Sequence, residues 1–148
     1  METLTVTKVV EIEAPIEQVW TFVGTAEGLG RWFEAEVVLE GQDGGRYEER
    51  GIHHDRPYFI AGTVVKIEPP RELVVSCRLE TTRDVMWPIY TTLAFRLEST
   101  PNGTLGKLVH SGFENLPEEY REDYLNGFEA EWGETFERFP SLVEADLA

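Results

Sequence analysis

The chemistry this chain can offer rests on three histidines, one cysteine, five tyrosines and many carboxylates. His53 and His54 stand side by side before Asp55, a composition that suits a metal ion. Neighbouring residues of a strand point to opposite faces, so such a pair rarely shares one ion. The trio reads as a polar loop whose functional use would be hydrogen bonding at a pocket rim. His110 lies late in a strand pattern, sharing a face with Leu108 and Gly112. A half-buried imidazole can carry a proton or touch a ligand, but spacing fixes no acid or hydroxyl beside it, and a structural hydrogen bond is expected. Cys77, between Val75 and Leu79, reads as a small buried hydrophobe; a nucleophilic thiol would need a base nearby. Tyr58, Phe59 and Tyr90 offer apolar rings, the tyrosines with one orienting hydroxyl each. Met86-Trp87-Pro88 is a bulky loop that suits the wall of an apolar site and the lid of a core equally. Glu118, Glu119, Glu122, Glu129, Glu131, Glu134 and Glu137 could pair for acid–base work; they fall off the aromatic stripe of their helix and read as a solvated face. Gly28-Leu29-Gly30 lacks the lysine of a phosphate loop, and no serine elbow, zinc motif or dinucleotide fingerprint occurs. No catalytic residue, metal ligand or cofactor is assigned on these residues.

The elements that must position these groups follow from periodicity. Leu4, Val6, Val10 and Ile12 alternate with polar residues, a half-buried strand that Lys8 interrupts on its apolar side. Pro15 then opens a helix, with Ile16, Val19, Trp20 and Val23 at i, i+3, i+4, i+7. A short turn runs through Leu29, Trp32 and Phe33. A run of strands follows: 35–40, 46–51, 58–67, 73–79, 90–98 and 104–113. They are separated by Gln42-Asp43-Gly44-Gly45, a polar loop over 53–57, Pro69-Pro70, a loop over 81–88, and Pro101-Asn102-Gly103. Pro117-Glu118-Glu119 opens a last helix with acids at its positive end. Its stripe is Phe128, Trp132, Phe136, Phe139, Val143 and Leu147. Asn126-Gly127 is expected to interrupt it, and Pro140 to kink or break it. The order strand, helix, antiparallel strands, long helix is an α+β arrangement with the helices on one face of the sheet. A curved sheet closed over one aromatic helix leaves room for a pocket between them.

Composition bounds the partners. The chain has 148 residues and a formal net charge of −15, so one domain spanning 1–148 is expected. Such acidity repels phosphate backbones and anionic membrane surfaces. Of 13 basic residues only Lys8, Lys66 and Lys107 are lysines; the excess of glutamate reads as a solvated shell that aids solubility. Cys77 alone excludes an intrachain disulfide and a cysteine-rich zinc site. No apolar run reaches the roughly 20 residues of a membrane helix, and the N-terminus has no secretory core. A cytoplasmic protein is expected.

Five segments resemble one family in the right order. Ala14-Pro15-Ile16-Glu17-Gln18-Val19-Trp20 is similar to the entry motif of the START-like superfamily, and Arg31-Trp32-Phe33 to its aromatic turn. Gly44-Gly45-Arg46-Tyr47 is similar to its first hairpin. Gly62-Thr63-Val64-Val65-Lys66-Ile67-Glu68-Pro69-Pro70-Arg71-Glu72-Leu73 resembles its Gly-to-Pro-Pro block, and His110-Ser111-Gly112-Phe113 the segment before its final helix. Together they resemble the branch named after the C-terminal domain of the heat-shock-protein-ninety ATPase activator, over nearly the whole chain. One departure is Glu131 before the helix Trp132, where the family often has glycine; Gly133 follows instead. The N-terminal partner domain of the eukaryotic tandem architecture is not expected either.

The resemblance implies a helix-grip fold, a curved antiparallel sheet wrapped around a long C-terminal helix, with a cavity between them. Lipid carriers, hormone receptors and polyketide cyclases share it. The first expectation is therefore a binding module, monomer or homodimer, that holds a small hydrophobic or amphipathic molecule. The residues expected at the ligand are Tyr58, Met86, Trp87, Tyr90, His110, Phe128, Trp132 and Phe136. An alternative is a cyclase- or hydrolase-type enzyme in which His110, Tyr58, Tyr90 or Arg96 steers a polyketide or aromatic substrate. A third is a stress-related protein that touches a chaperone.

Overall fold

A computed structural model describes residues 4–81 and 87–146. The first strand, β1 (Thr5–Ile12), leads into two helices, α1 (Ile16–Val23) and α2 (Ala26–Phe33). Six strands follow: β2 (Glu36–Leu39), β3 (Arg46–His53), β4 (Arg56–Glu68), β5 (Glu72–Thr81), β6 (Thr91–Thr100) and β7 (Gly103–Ser111). A 3-10 turn at Phe113–Asn115 precedes the last helix, α3 (Glu118–Ala145). The strands form one seven-stranded sheet in the order β1-β7-β6-β5-β4-β3-β2, every pair antiparallel. This is the α+β helix-grip arrangement: a curved sheet with α3 laid along its inner face.

Strand parity decides what lies between sheet and helix. In β1, Val6 and Ile12 are buried while Thr5, Thr7 and Glu11 face solvent. Lys8 sits on the inner side for a reason: its Nζ donates to Glu129 Oε1 of α3 at 2.6 Å. That bond ties the outermost strand to the helix. The ladder between β4 and β5 slips twice, between Phe59 and Ile60 and between Val64 and Lys66. Such bulges bend a strand and increase its twist. Gly62 lies between the two slips, and a Cβ there would stand 1.7 Å from the Ser76 carbonyl oxygen, so only glycine allows the strands to approach this closely.

The elements follow the sequence with four corrections, three in helices and one in a hairpin. In α1 the buried residues are Val19, Phe22 and Val23, with Trp20 only partly covered. The segment read as a short turn is a full helix, α2. Thr25 Oγ1 accepts the Gly28 N–H at 3.0 Å at its start, and Glu34 ends it in a left-handed conformation. The polar loop over 53–57 shrinks to a two-residue turn: His53 pairs with Arg56, and His54 and Asp55 take φ of 50° and 64°. These are the positive values a type I′ hairpin requires.

The largest correction concerns α3, which runs unbroken through Gly127 and Pro140. Gly127 is exposed, and an exposed helical glycine costs only about 1 kcal/mol against alanine. Pro140 forfeits the bond to the Phe136 carbonyl and strains the turn, about 3 kcal/mol in an ordinary helix. Phe139 and Val143 on either side are both 0% exposed. Burying each such side chain contributes about 1.5–3 kcal/mol, so the flanking anchors hold the helix through the proline. Phe139 lies 4.4 Å from Trp32, ring centre to ring centre, and the Trp32 indole N–H donates to the Phe22 carbonyl at 2.8 Å. This joins α1, α2 and α3 into one packed end of the molecule. Among the described residues, no helix is long and apolar enough to cross a membrane.

Candidate ligand cavity

At the other end of α3 the core does not close. A cavity of about 310 Å³ lies between α3 and strands β3 to β7. Its inner wall is apolar: Ile60, Leu79 and Leu93 from the sheet, Phe33 from α2, Phe128 and Trp132 from α3, and Trp87 ahead of β6. The lining residues Asp123, Gly127 and Glu131 are exposed, which places the mouth between α3 and the β3–β4 turn. There His53 Nδ1 stands 3.6 Å from Glu131 Oε2.

Two polar assemblies enter this apolar space. The first is a relay that crosses the inner wall. The Trp132 indole N–H donates to His110 Nδ1 at 3.0 Å, and His110 Nε2 lies 2.8 Å from Thr91 Oγ1. Indole nitrogen only donates, so Nδ1 must be the acceptor and the ring proton is assigned to Nε2. The Nε2–H then donates to Thr91, whose hydroxyl donates to the Cys77 carbonyl at 3.2 Å. Both imidazole nitrogens are occupied, and burial pushes the His110 pKa down to about 3. His110 is thus a neutral structural link among α3, β7, β6 and β5. Phe113 and Phe128 pack on its ring at 4.6 and 4.8 Å between centres.

The second assembly is a buried carboxylate. Glu49, 9% exposed, accepts the Tyr47 hydroxyl at 2.8 Å on Oε1 and the Tyr58 hydroxyl at 2.5 Å on Oε2. Burial raises its pKa, while the two phenolic bonds pull it back down. The same burial, with Glu49 beside them, raises the pKa of both tyrosines. Each carboxylate oxygen carries two acceptor sites, so each keeps one beyond its tyrosine. The Cys77 thiol also lines the cavity and is pushed well above its ordinary pKa by burial, which makes it inert.

Of the residues expected at a ligand, Tyr58, Trp87, His110, Phe128 and Trp132 line the cavity. Met86 lies outside the described residues. Two are not in the lining. Tyr90 is 49% exposed beneath the Arg78 guanidinium, 4.9 Å from the ring centre. β6 turns Thr91 inward, so the residue before it points out. Phe136 lies one turn deeper, stacked on Phe139 at 5.5 Å within the closed end of the core. Arg96, named for substrate steering, is on the outer face of β6 and donates from Nε to Glu72 at 2.6 Å. Its neighbours Phe95 and Leu97 take the inner face.

Several lining groups escaped the sequence reading. Glu49 is one, although Tyr47, Glu49 and Gly51 share a strand face and that parity was there to be read. Glu131 and Asp123 are others, hidden within an acidic helix face that is otherwise solvated. His53 does stand at the cavity rim. Among the described residues no cluster of three or more His, Cys, Asp or Glu is arranged to hold a metal ion. Trp87 is fixed by its backbone N–H, which donates to the Leu79 carbonyl at 2.9 Å. Its buried indole N–H has no acceptor among the described residues.

Comparison with known proteins agrees with this architecture. Residues 13–144 match the family model described as Activator of Hsp90 ATPase homolog 1-like protein. Protein MLL2253 from Mesorhizobium loti is similar with a TM-score of 0.78 and 21% identity, over 95% of this chain and 97% of that one. Protein Ms6760 from Mycobacterium smegmatis matches with a TM-score of 0.78 and 16% identity, over 99% and 98%. The Aha1 dimer from Colwellia psychrerythraea, solved in solution, matches with a TM-score of 0.69 and 18% identity, over 95% and 96%. At these identities the likeness is one of fold. No curated protein matches the chain significantly.

Proposed function

The chain belongs to the family of Activator of Hsp90 ATPase homolog 1-like proteins, and from that premise we propose that it binds a small hydrophobic or amphipathic molecule in the cavity between sheet and α3. The observation that supports this most is the cavity itself: about 310 Å³, at the small end of the roughly 300–1,000 Å³ typical of ligand sites. A core of this chain length has no need to leave such a space open beside aromatic side chains that would fill it. The apolar wall supplies the driving force, about 25 cal/mol per Å² of apolar surface removed from water. Orientation comes from a few polar groups: the spare acceptor sites of Glu49 and the Trp87 N–H, which has no acceptor among the described residues.

Tyr58, Trp87, Phe128 and Trp132 are the residues we assign to ligand contact, with His110 as the fixed wall behind them. Because both His110 nitrogens are engaged, the proposal gives it no proton-transfer role. A chaperone contact and a homodimer draw on the family description and the dimeric Colwellia relative, and the cavity favours neither. Native mass spectrometry of gently purified protein, followed by a thermal-shift screen of small apolar compounds, tests the binding reading. A co-purifying small molecule or a saturable rise in melting temperature is expected. The absence of both an adduct and a hit would overturn it.

A further inference from the structure

The cavity is apolar in its walls, and its titratable polar groups other than the rim imidazole of His53, the relay His110, the Cys77 thiol and the tyrosines are acids. Glu49 is buried inside it, and Glu131 and Asp123 stand at its mouth. Among the described residues, no lysine or arginine lines it. We propose that its ligand is a hydrophobic amine, an apolar body ending in one protonated nitrogen, with the ammonium held by Glu49 and drawn in past Glu131. The inference rests on the binding reading above and adds the charge of the head group.

A carboxylate ligand, as in a fatty acid, would bring a negative charge toward Glu49 and past Glu131 and Asp123 with no lysine or arginine in the lining to meet it, the rim imidazole of His53 facing Glu131 instead, and an unpaired buried charge is costly. A neutral head leaves the carboxylate's spare acceptor sites to weak donors. An ammonium presents three donors, enough for the free site on each Glu49 oxygen with one to spare. Such bonds between ionised partners are shorter and about twice as strong as neutral ones. Glu131 lies close enough to raise the pKa of both Glu49 and Tyr58, so the two carboxylates share one electrostatic space that a single cation would relieve. The tyrosines fix the acceptor: with Tyr47 and Tyr58 bonded one to each oxygen, the Glu49 side chain is oriented before any ligand arrives. The acidic shell adds steering, since a negative cleft concentrates cations.

Octylamine, octan-1-ol and octanoate share one chain and differ in the head. Titrated into the full chain at neutral pH, with Trp87 and Trp132 fluorescence as the signal, octylamine is expected to bind about tenfold tighter than the alcohol, and octanoate weakest. Glu49→Gln should bring the amine to within roughly threefold of the alcohol while alcohol binding persists, which also reports that the variant is folded. Should that variant fail to fold, Glu131→Gln on the exposed helix face must weaken the amine and leave the alcohol unchanged. Alcohol binding with no preference for the amine, or a preference that survives Glu49→Gln, overturns the head-group assignment alone. If none of the three binds, the cavity reading falls and this inference with it.

Discussion

Replacing His110 by glutamine should change how stability depends on pH by an amount that follows from the buried relay. In the folded chain burial disfavours the charged imidazole and lowers its pKa from 6.5 to about 3, and the neutral ring accepts from Trp132 at Nδ1. In the unfolded chain it titrates near 6.5. Between these values the unfolded state carries a proton the folded state refuses, so stability falls as the pH drops below 6.5 and the contribution is complete only above it. At pH 5 the unfolded imidazole is about 1.5 units below its pKa. At about 1.36 kcal/mol per unit that is about 2 kcal/mol of stability lost relative to pH 8. Glutamine can accept from Trp132 and donate to Thr91 through its amide, and it does not titrate. Urea unfolding of both proteins at pH 8 and pH 5, followed by tryptophan fluorescence, gives two stability differences. Their change with pH should be about 2 kcal/mol against the wild type at the acid end. Glu49 acts in the opposite sense: its raised pKa makes it a stabilising group in acid whose contribution is lost as pH rises. It is present in both proteins and cancels in the subtraction. A change below about 0.5 kcal/mol, or nitrogen shifts showing a protonated His110 at pH 5, would refute the neutral relay.

Two further outcomes follow from the same packing. Trp132→Phe keeps most of the ring but strands His110 Nδ1 in the core, which should cost about 1–3 kcal/mol. Repeated in a His110→Leu background, the cost should shrink by about 0.5 kcal/mol or more, and a coupling below about 0.3 kcal/mol would mean the bond contributes nothing. Pro140→Ala restores an N–H for the Phe136 carbonyl and should raise stability by about 2 kcal/mol, less the entropy that proline removes from the unfolded chain; a lowered urea midpoint would contradict the reading of the helix as strained there.

Period and parity made most of the architecture legible. The alternation of Val6, Val10 and Ile12 and the stripe from Phe128 to Val143 each reappear as an element facing the core, and the glycine turn after Gln42 reappears as the exposed link from β2 to β3. Proline and glycine misled where tertiary anchors outweigh local preference, as at Gly127 and Pro140 in α3. At the site, aromatic residues were easier to recognise than acids. Trp87, Phe128 and Trp132 announce themselves by size, whereas Glu49 sits in the charged run Arg46-Tyr47-Glu48-Glu49-Arg50. Its two-residue spacing from Tyr47 is the one sequence sign that it points inward, and the fold buries both. Tyr90 misled for the converse reason, since one residue of register separates it from buried Thr91. The tautomer of His110 lay beyond sequence altogether, because it depends on a donor 22 positions away.

The strand order also governs when the molecule can assemble. β2 to β7 are successive antiparallel neighbours, each able to pair with the one before it as soon as it is made, but β1 pairs only with β7. Thr5 meets Ser111, so the first strand waits for almost the entire sheet to be synthesised. Non-local pairing of this kind slows folding, because loop-closure entropy is lost before contacts repay it. During that wait Val6 and Ile12, wholly buried in the finished fold, are uncovered. Glu11 within that first strand and Glu13 just after it set like charges against one another whenever two uncovered copies align, a charge pattern that disfavours edge-to-edge pairing.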